Sequence, residues 1–547
     1  DYDLYLNQLV KRKSCEFMCG IVGYIGDRSA VEVLISGLRK LEYRGYDSAG
    51  LAVISANSKE LLRVRAKGKL SNLEAKLAQD SSDRDALTNS PTNSSANFPA
   101  NSLTNAKVGI GHTRWATHGK PEEHNAHPHT NNSGSLAVVQ NGIIENYHAL
   151  RLELKYLGHE FISETDTEVI PHLISEFLRG NTLLEAVRLA VGKLKGAFAI
   201  AVLSADYPDE LIVVRQQAPL VIGIGKNENF FASDTPALIS YTNVVMALDN
   251  GEIGRITKTG VEIYNFNGDR QRRGMQTLSW NPIMVEKQGF RHYMLKEIHE
   301  QPGVIRAGLA KFVSDDNQIS LGLPPEFALQ DLTNIQIVAC GTSWHAALVG
   351  RYLLEQLVGI PTTVNYASEY RYAPPPIRSN TLVIGVTQSG ETADTLAALE
   401  LAKSRGDRTL GITNRPESSI GRLADRVLDT QAGIEIGVAA TKTFVAQLLM
   451  FYLLTLDLGQ IRRSLSTETT AKIIEGLRQL PAQIERILES QERYIENLAH
   501  KFCNAKDIIY IGRGINFPIA LEGALKLKEI SYIHAEAYPA GEMKHGP

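Results

Sequence analysis

Apolar runs in the second half of the chain end in polar turns that open into helical patterns, and this alternation leaves few folds open. Ile335 to Cys340 is followed by Gly341-Thr342-Ser343 and a helix from Trp344. Thr381 to Thr387 is followed by Gln388-Ser-Gly-Glu-Thr392 and a helix through Leu401, and Arg408 to Thr413 is a third run. Buried-type strands alternating with helices need crossover connections, so the pattern predicts a parallel sheet. Ligands of such sheets bind beyond the carboxyl ends of the strands. Those ends carry hydroxyls, small residues and backbone N–H groups at helix starts, the makings of a phosphate cradle without a metal. One such turn reads as well as a helix cap; two in one sheet favour an anion.

The unit recurs. Gly341, Ala347, Leu348, Gly350, Ala367 and Glu369 reappear 173 residues later as Gly514, Ala520, Leu521, Gly523, Ala540 and Glu542. A strand from Asp507 to Ile511 again leads into a glycine turn and a helix. One complete α/β unit (331–465) and the start of a second (498–547) are therefore expected.

The first half has a different rhythm. Gly196 to Ser204, Glu210 to Arg215, Val221 to Gly225 and Gly260 to Phe266 follow one another at hairpin spacing. Helical stretches (Arg28 to Leu41, Ile144 to Leu157, Glu168 to Leu178) interrupt them, which predicts a layered α+β fold over residues 19–266. Asp80 to Ala106, rich in Ser, Asn and Asp, reads as a solvated insertion. Asn267 to Gly289 reads as an interdomain connection, within a linker and helical lead-in over 267–330. A net charge of -3 gives no global field for nucleic acid. The four cysteines show no paired spacing, which fits a reducing cytoplasm. No uninterrupted apolar stretch reaches the ~18 residues of a membrane helix.

The sharpest chemical signal is Met18-Cys19-Gly20-Ile21-Val22-Gly23. If Met18 is a start and is removed, Cys19 carries a thiol and a free α-amine on one residue. Their unperturbed pKa values are about 8.5 and about 7.7–8.0, which sets a general base beside a strong nucleophile. Residues 1–17 would block this, and are expected to be an upstream-start extension or a removed piece; they lack a signal-peptide core. With Cys19 internal, the bland reading is a buried cysteine opening a strand.

Other stretches suit an amino-acid substrate. In Gly111-His-Thr-Arg-Trp-Ala-Thr-His-Gly119, an arginine fork suits a carboxylate. In Val138-Val-Gln-Asn-Gly-Ile-Ile-Glu-Asn146, a strand ending at Asn141-Gly142 would aim an amide and a backbone N–H at one oxyanion. Ser163-Glu-Thr-Asp-Thr-Glu168 offers a carboxylate for an ammonium group. Alone, Asn-Gly reads as a turn, and Asp166 and Glu168 read as helix-start acids. His112, His118, His124, His127 and His129 match no familiar zinc spacing, so no metal is expected.

Taken together, Met18-Cys-Gly-Ile-Val-Gly, Leu41-Glu-Tyr-Arg-Gly-Tyr-Asp-Ser-Ala-Gly50, His112-Thr-Arg-Trp-Ala-Thr-His118, Gln140-Asn-Gly-Ile-Ile-Glu-Asn146 and Glu164-Thr-Asp-Thr-Glu168 resemble class II glutamine amidotransferases. The resemblance implies an N-terminal-nucleophile αββα fold that hydrolyses L-glutamine. It implies Cys19 as nucleophile and, through its amine, base; Asn141 and Gly142 as oxyanion hole; Arg114, Thr117, His118 and Asp166 as glutamine contacts; and Trp115 as a gate.

Cys340-Gly-Thr-Ser343, Thr387-Gln-Ser-Gly-Glu-Thr392, Glu435-Ile-Gly-Val-Ala-Ala-Thr-Lys442 and Gly523-Ala-Leu-Lys-Leu-Lys-Glu529 resemble tandem sugar isomerase (SIS) domains. Joined to the first half, they imply that ammonia is channelled to D-fructose 6-phosphate, giving glucosamine 6-phosphate for amino-sugar synthesis. The implied sugar-phosphate contacts are Gly341, Thr342, Ser343, Thr387, Gln388, Ser389, Thr392 and Val438. The implied isomerase residues are Glu529 as base, Lys526 beside it and His545 for ring opening. No cofactor is implied, and a cytoplasmic homodimer is. Ala440 stands where the family often has serine. The family's Schiff-base lysine lies beyond Pro547, so a chain ending there is expected to keep only glutaminase chemistry. Other class II amidotransferases would need a phosphoribosyl or ATP-pyrophosphatase half, and a SIS-type regulator would usually carry a DNA-binding module.

Overall fold

The computed structural model describes residues 19–546 except 43–44, 56–57, 83–102, 104, 116–117, 279–285, 325–326, 328 and 377–378. Residues 1–18, most of the expected insertion and Thr117 therefore lie outside the described residues. The chain divides into two compact units, one within residues 15–285 and one within 286–547.

The first unit's strands, in chain order, are β1 (Gly20–Ile25), β2 (Ser48–Ile54), β3 (Leu61–Lys67), β4 (Val108–Arg114), β5 (His129–Thr130), β6 (Leu136–Ile144), β7 (Gly196–Ser204), β8 (Glu210–Gln216), β9 (Val221–Ile224), β10 (Asn229–Ala232), β11 (Val244–Ala247), β12 (Glu252–Thr257), β13 (Val261–Asn265), β14 (Arg270–Gln271) and β15 (Gln276–Thr277). They form two sheets, ordered β15-β11-β9-β10-β1-β4-β2-β3 and β14-β13-β12-β8-β7-β6-β5, with antiparallel ladders. Helices α1 (Ala30–Arg39) and α2 (Leu70–Ser82) serve the first sheet; α3 (Tyr147–Tyr156), α4 (Val169–Phe177) and α5 (Leu183–Val191) serve the second.

Strand alternation explains the layers. Along β1, Ile21 and Ile25 enter a core with Ala199, Ala201 and Leu203 of β7, whereas Val22 and Tyr24 join Leu34 and Leu38 of α1. On β7 the other face, Phe198, Ile200 and Val202, packs with Ile170, Ile174 and Val187 of α4 and α5. Successive side chains of a strand point to opposite faces, so strands apolar at every position are buried twice. Four layers result: helices, sheet, sheet, helices. Gly23 is required at one contact, because a Cβ there would sit 1.9 Å from the ring of Phe231.

Two expectations need correction. β6 does not end at Asn141-Gly142; it runs to Ile144, pairing Gly142 with Phe198 and Ile144 with Gly196. Gly142 takes φ +110°, a conformation open to glycine, which lets the ladder continue past a sequence that reads as a turn. Residues 270–277, read as connection, instead supply edge strands: β14 pairs β13 and β15 pairs β11. Ion pairs from Arg273 to Asp249 and Glu252 fasten the segment, so polarity there reflects an exposed sheet edge.

The second unit begins with α6 (Tyr293–Phe312). There follow β16 (Asn334–Ala339), α7 (Gly341–Leu353), β17 (Thr362–Tyr366), α8 (Ala367–Tyr370), β18 (Thr381–Thr387), α9 (Ala393–Ser404), β19 (Arg408–Thr413), α10 (Ser419–Leu423), β20 (Arg426–Asp429), α11 (Lys442–Ile461) and α12 (Thr467–Phe502). The five strands are parallel in the order β17-β16-β18-β19-β20. The order reverses between β16 and β18, the switch point at which such sheets open a ligand crevice. β21 (Asp507–Gly512), α13 (Asn516–Ser531) and β22 (His534–Pro539) form a second parallel βαβ unit. Gly341 and Gly514, equivalent in the repeat, both take left-handed φ, +52° and +57°.

One helix escaped the sequence reading. α11 is long and apolar enough, by length and composition, to cross a membrane. Gln447 and Asp457 interrupt the apolar run, and most of the helix is buried in the unit's own core, with Phe451 and Leu454 fully covered. A Cβ at Gly350 would meet the Phe451 ring at 2.3 Å, so α7 and α11 touch backbone to ring. Phe451→Ala should remove about 3–5 kcal/mol from the second unit's unfolding free energy in urea, leaving the first unit's transition in place.

Candidate functional site

Register brings the first site together. β1 pairs β4 with Gly20 opposite Thr113, which sets Cys19 beside Arg114 and Trp115. The Trp115 N–H donates to Cys19 Sγ at 3.2 Å, and Sγ lies 3.6 Å from the Trp115 carbonyl. From the other sheet, Asn141 Nδ2 donates to the Cys19 carbonyl at 2.9 Å. The Gly45 of the Tyr-Arg-Gly-Tyr stretch makes room, since a Cβ there would lie 2.7 Å from the Arg114 backbone. Tyr46 meets the Trp115 ring edge-on at 5.4 Å.

Arg114 is 3% exposed. Its Nη2 donates to the His118 carbonyl, while its buried Nη1 has no partner among the described residues. Burial pushes the guanidinium below its ordinary pKa, against the charges of Cys19, Asp166 and Asp47. Asp166 is buried too, but it is not a helix cap: Oδ2 accepts the Ile144 N–H at 2.8 Å, and Oδ1 lies 3.9 Å from His118 Nδ1. Burial raises its pKa, opposed by the Ile144 N–H and by the His118 and Arg114 charges. Glu168 instead stitches its own loop, accepting from the N–H groups of Ile162 and Ser163 and from Arg151. The structure thus brings Cys19, Arg114, Trp115, His118, Asn141 and Asp166 into one connected cluster; Gly142 follows Asn141 in β6.

The second constellation lies at the switch point. α7 starts at Gly341 with no side-chain cap, and Thr392 precedes α9 without capping it. Thr392 Oγ1 instead meets Thr387 Oγ1 at 2.7 Å. Neither helix start is capped by a side chain, so these hydroxyls are not the helix caps that the sequence also allowed. Ser343 accepts from Gln447 of α11 at 3.0 Å, Ser389 accepts the Glu391 N–H, and the Gln388 carbonyl is held by Asn414.

Thr342 leads to α13. Its hydroxyl donates to Glu522 Oε1 and accepts from Lys526 Nζ, both at 3.0 Å. Lys526 also lies 2.7 Å from Glu529, and Glu522 Oε2 lies 2.7 Å from His345 Nδ1. Sequence reading missed Glu522 and His345. Spacings of four and three residues put 522, 526 and 529 on one helix face, which was the available signal. His545 is exposed, and among the described residues no hydrogen bond or ion pair joins its ring to Lys526 or Glu529. Glu522→Ala would strand a buried His345 and should loosen α13, read as faster amide exchange over 516–531.

Val438 is 48% exposed on a loop that α6 holds from beneath. Glu297 Oε1 accepts the N–H groups of Ile436 at 2.5 Å and Gly437 at 3.0 Å. Burial, then the Glu435 charge, pushes the Glu297 carboxyl up to about 7. The folded chain therefore holds this proton more tightly than the unfolded chain, so the contribution is present below the ordinary 4.5 and is lost as pH rises through about 7. Urea denaturation of the second unit should show stability falling across that window, and Glu297→Gln should flatten the slope.

Among the described residues no group of three or more His, Cys, Asp or Glu side chains is placed to hold a metal. Residues 99–265 match the model of a glutamine amidotransferase domain, and residues 328–456 and 501–547 match the SIS domain. A glutamine–fructose-6-phosphate aminotransferase (isomerizing) of Thermosynechococcus vestitus is 63% identical over 549 residues, covering 97% of this chain and 84% of that protein. The protein of the same name from Gloeobacter violaceus is 64% identical over 531 residues, covering 97% and 83%. The solved C-terminal domain of glucosamine-fructose-6-phosphate aminotransferase from Francisella tularensis is 42% identical, covers 48% of this chain and 73% of that chain, and has a TM-score of 0.47.

Proposed function

Because this chain belongs to the isomerising glutamine–fructose-6-phosphate aminotransferases, we propose residue roles for each half of that reaction. The enzyme transfers the amide nitrogen of glutamine to fructose 6-phosphate and isomerises the ketose to glucosamine 6-phosphate, leaving glutamate.

Once residues 1–18 are removed and Cys19 is the first residue, its Sγ attacks the glutamine amide carbon while its own α-amine takes the thiol proton. The oxyanion that forms is held by Asn141 Nδ2 and the Gly142 N–H. The ammonium proton passes to the departing nitrogen, ammonia leaves, and water cleaves the thioester by the same route in reverse. Arg114 binds the substrate α-carboxylate, Asp166 its α-ammonium, and Trp115, Thr117 and His118 line the site. The observation that carries this reading is Arg114 Nη1, a buried donor without a partner among the described residues, on the residue that neighbours the thiol. Leaving such a donor unmade costs about 1–3 kcal/mol, and a substrate carboxylate satisfies it.

In the other half, the phosphate of fructose 6-phosphate sits on the N–H groups of Gly341, Thr342 and Ser343, with Thr387, Gln388, Ser389 and Thr392 holding oxygens and Val438 closing the side. Glu529 moves the proton between C1 and C2, Lys526 offsets the charge that develops, and His545 opens the ring. The Thr342–Lys526 hydrogen bond supports this reading, because it ties the phosphate turn to the helix that carries the base. A homodimer acting in the cytoplasm, implied by the family resemblance, completes the proposal.

Cys19→Ala should abolish glutamate release. Arg114→Met should raise KM for glutamine about 10- to 100-fold with a smaller effect on kcat, measured by glutamate formation. Equal losses in kcat and kcat/KM would remove Arg114 from substrate binding.

A further inference from the structure

β5 covers β6 only as far as Val138, through the pairs His129–Val138 and Thr130–Ala137. Continued by two residues, that register would set the His127 backbone opposite Gln140, but Pro128 has no N–H to extend the ladder. Imidazoles take the strand's place. His127 Nδ1 accepts the Gln140 N–H at 3.4 Å. His112 Nε2, on β4, lies 3.1 Å from the Gln140 carbonyl and 3.1 Å from Asn141 Oδ1. The two rings lie 4.3 Å apart, and His129 stands 4.9 Å beyond His127. All three are buried.

These contacts assign protons. A peptide carbonyl only accepts, so His112 Nε2 must carry the hydrogen. The Asn141 atom facing Nε2 must then be the amide oxygen, since an NH2 there would oppose another donor. The NH2 is thereby turned towards Cys19, where one hydrogen meets the Cys19 carbonyl and one remains. Burial pushes the His112 imidazole down to about 3, and it stays neutral across the working range.

We propose that His112 is a positioning residue of glutamine hydrolysis, whose Nε2–H locks the Asn141 carboxamide with its NH2 aimed at the oxyanion. This rests on the assignment of Asn141 as an oxyanion donor. His127, sharing Gln140, supports the ring.

The test is glutamine hydrolysis by the chain with Cys19 as its first residue, with kcat expressed per thiol titrated by a glutamine-like alkylating reagent. Losing an oriented oxyanion donor is worth about 10²–10³ in rate, so His112→Leu should lower kcat per thiol by about 10- to 100-fold, with KM within about threefold of wild type. His112→Gln restores a donor and should recover most of the loss. In an Asn141→Ala background, His112→Leu should add less than about twofold. A purely structural role would lower the titrated fraction and leave kcat per thiol within about twofold, which overturns the inference. If Asn141→Ala itself leaves kcat unchanged, the oxyanion assignment fails and carries the inference with it; if Asn141→Ala is slow but His112→Leu is not, the inference alone fails. Should His112→Leu not fold, 15N spectra of the wild-type ring decide: Nε2–H supports the lock, and Nδ1–H overturns it.

Discussion

Backbone pairing between Gly20 and Thr113 holds Cys19 against the end of β4, and the burial of β1 on both faces keeps that pairing in place. A slip of one residue would send Ile21 and Ile25 to the helix side and Val22 and Tyr24 to the sandwich. The contact of Gly23 with Phe231 forbids it, because a one-residue slip would put Val22 or Tyr24, each with a side chain, opposite that ring. The thiol thus takes its place from a core that has no chemistry of its own. The same pairing brings Arg114 to the site on the neighbouring strand, so nucleophile and guanidinium move as one body.

Around that centre some of the polar groups are matched at close quarters. Asp166 has one oxygen on a backbone N–H and the other near His118, and Arg114 has one arm on a carbonyl. Among the described residues several buried polar atoms near the thiol have no partner, Arg114 Nη1, Thr113 Oγ1 and Gln140 Nε2 among them, and of these only the first carries a full positive charge. In the second unit the equivalent lack of matching lies in backbone: helices begin without caps and hydroxyls bond one another.

Much of this was legible in the residues. The alternation from Ile335 to Thr413 gave the parallel sheet, and the recurrence of Gly341 as Gly514 gave the second copy. Cys19, Arg114 and Asn141 stood out by type and position, Asp166 only through the family resemblance, and the structure gathers all four. The failures have physical causes. Asn141-Gly142 reads as a turn because local preference favours one, and only pairing with β7 holds it extended. Residues 270–277 look like a linker because an edge strand faces water along its length. α11 was not seen as one long apolar helix because Gln447 and Asp457 interrupt a run that is otherwise buried. His112 was weighed as a metal ligand, since nothing in its neighbours along the chain says that it faces Asn141 from another strand.

Glu522 bridges the first repeat's turn to the second repeat's helix, and its place in the repeat has a meaning of its own. The position 173 residues earlier is Val349, and the counterpart of Lys526 is Leu353; both pack into the second unit's apolar core. One helical stripe therefore serves as filling in one copy and as ionisable equipment in the other. The copies share an outline but are not interchangeable: swapping them would bury two charges without partners and leave the turn at Thr342 facing two inert hydrocarbons.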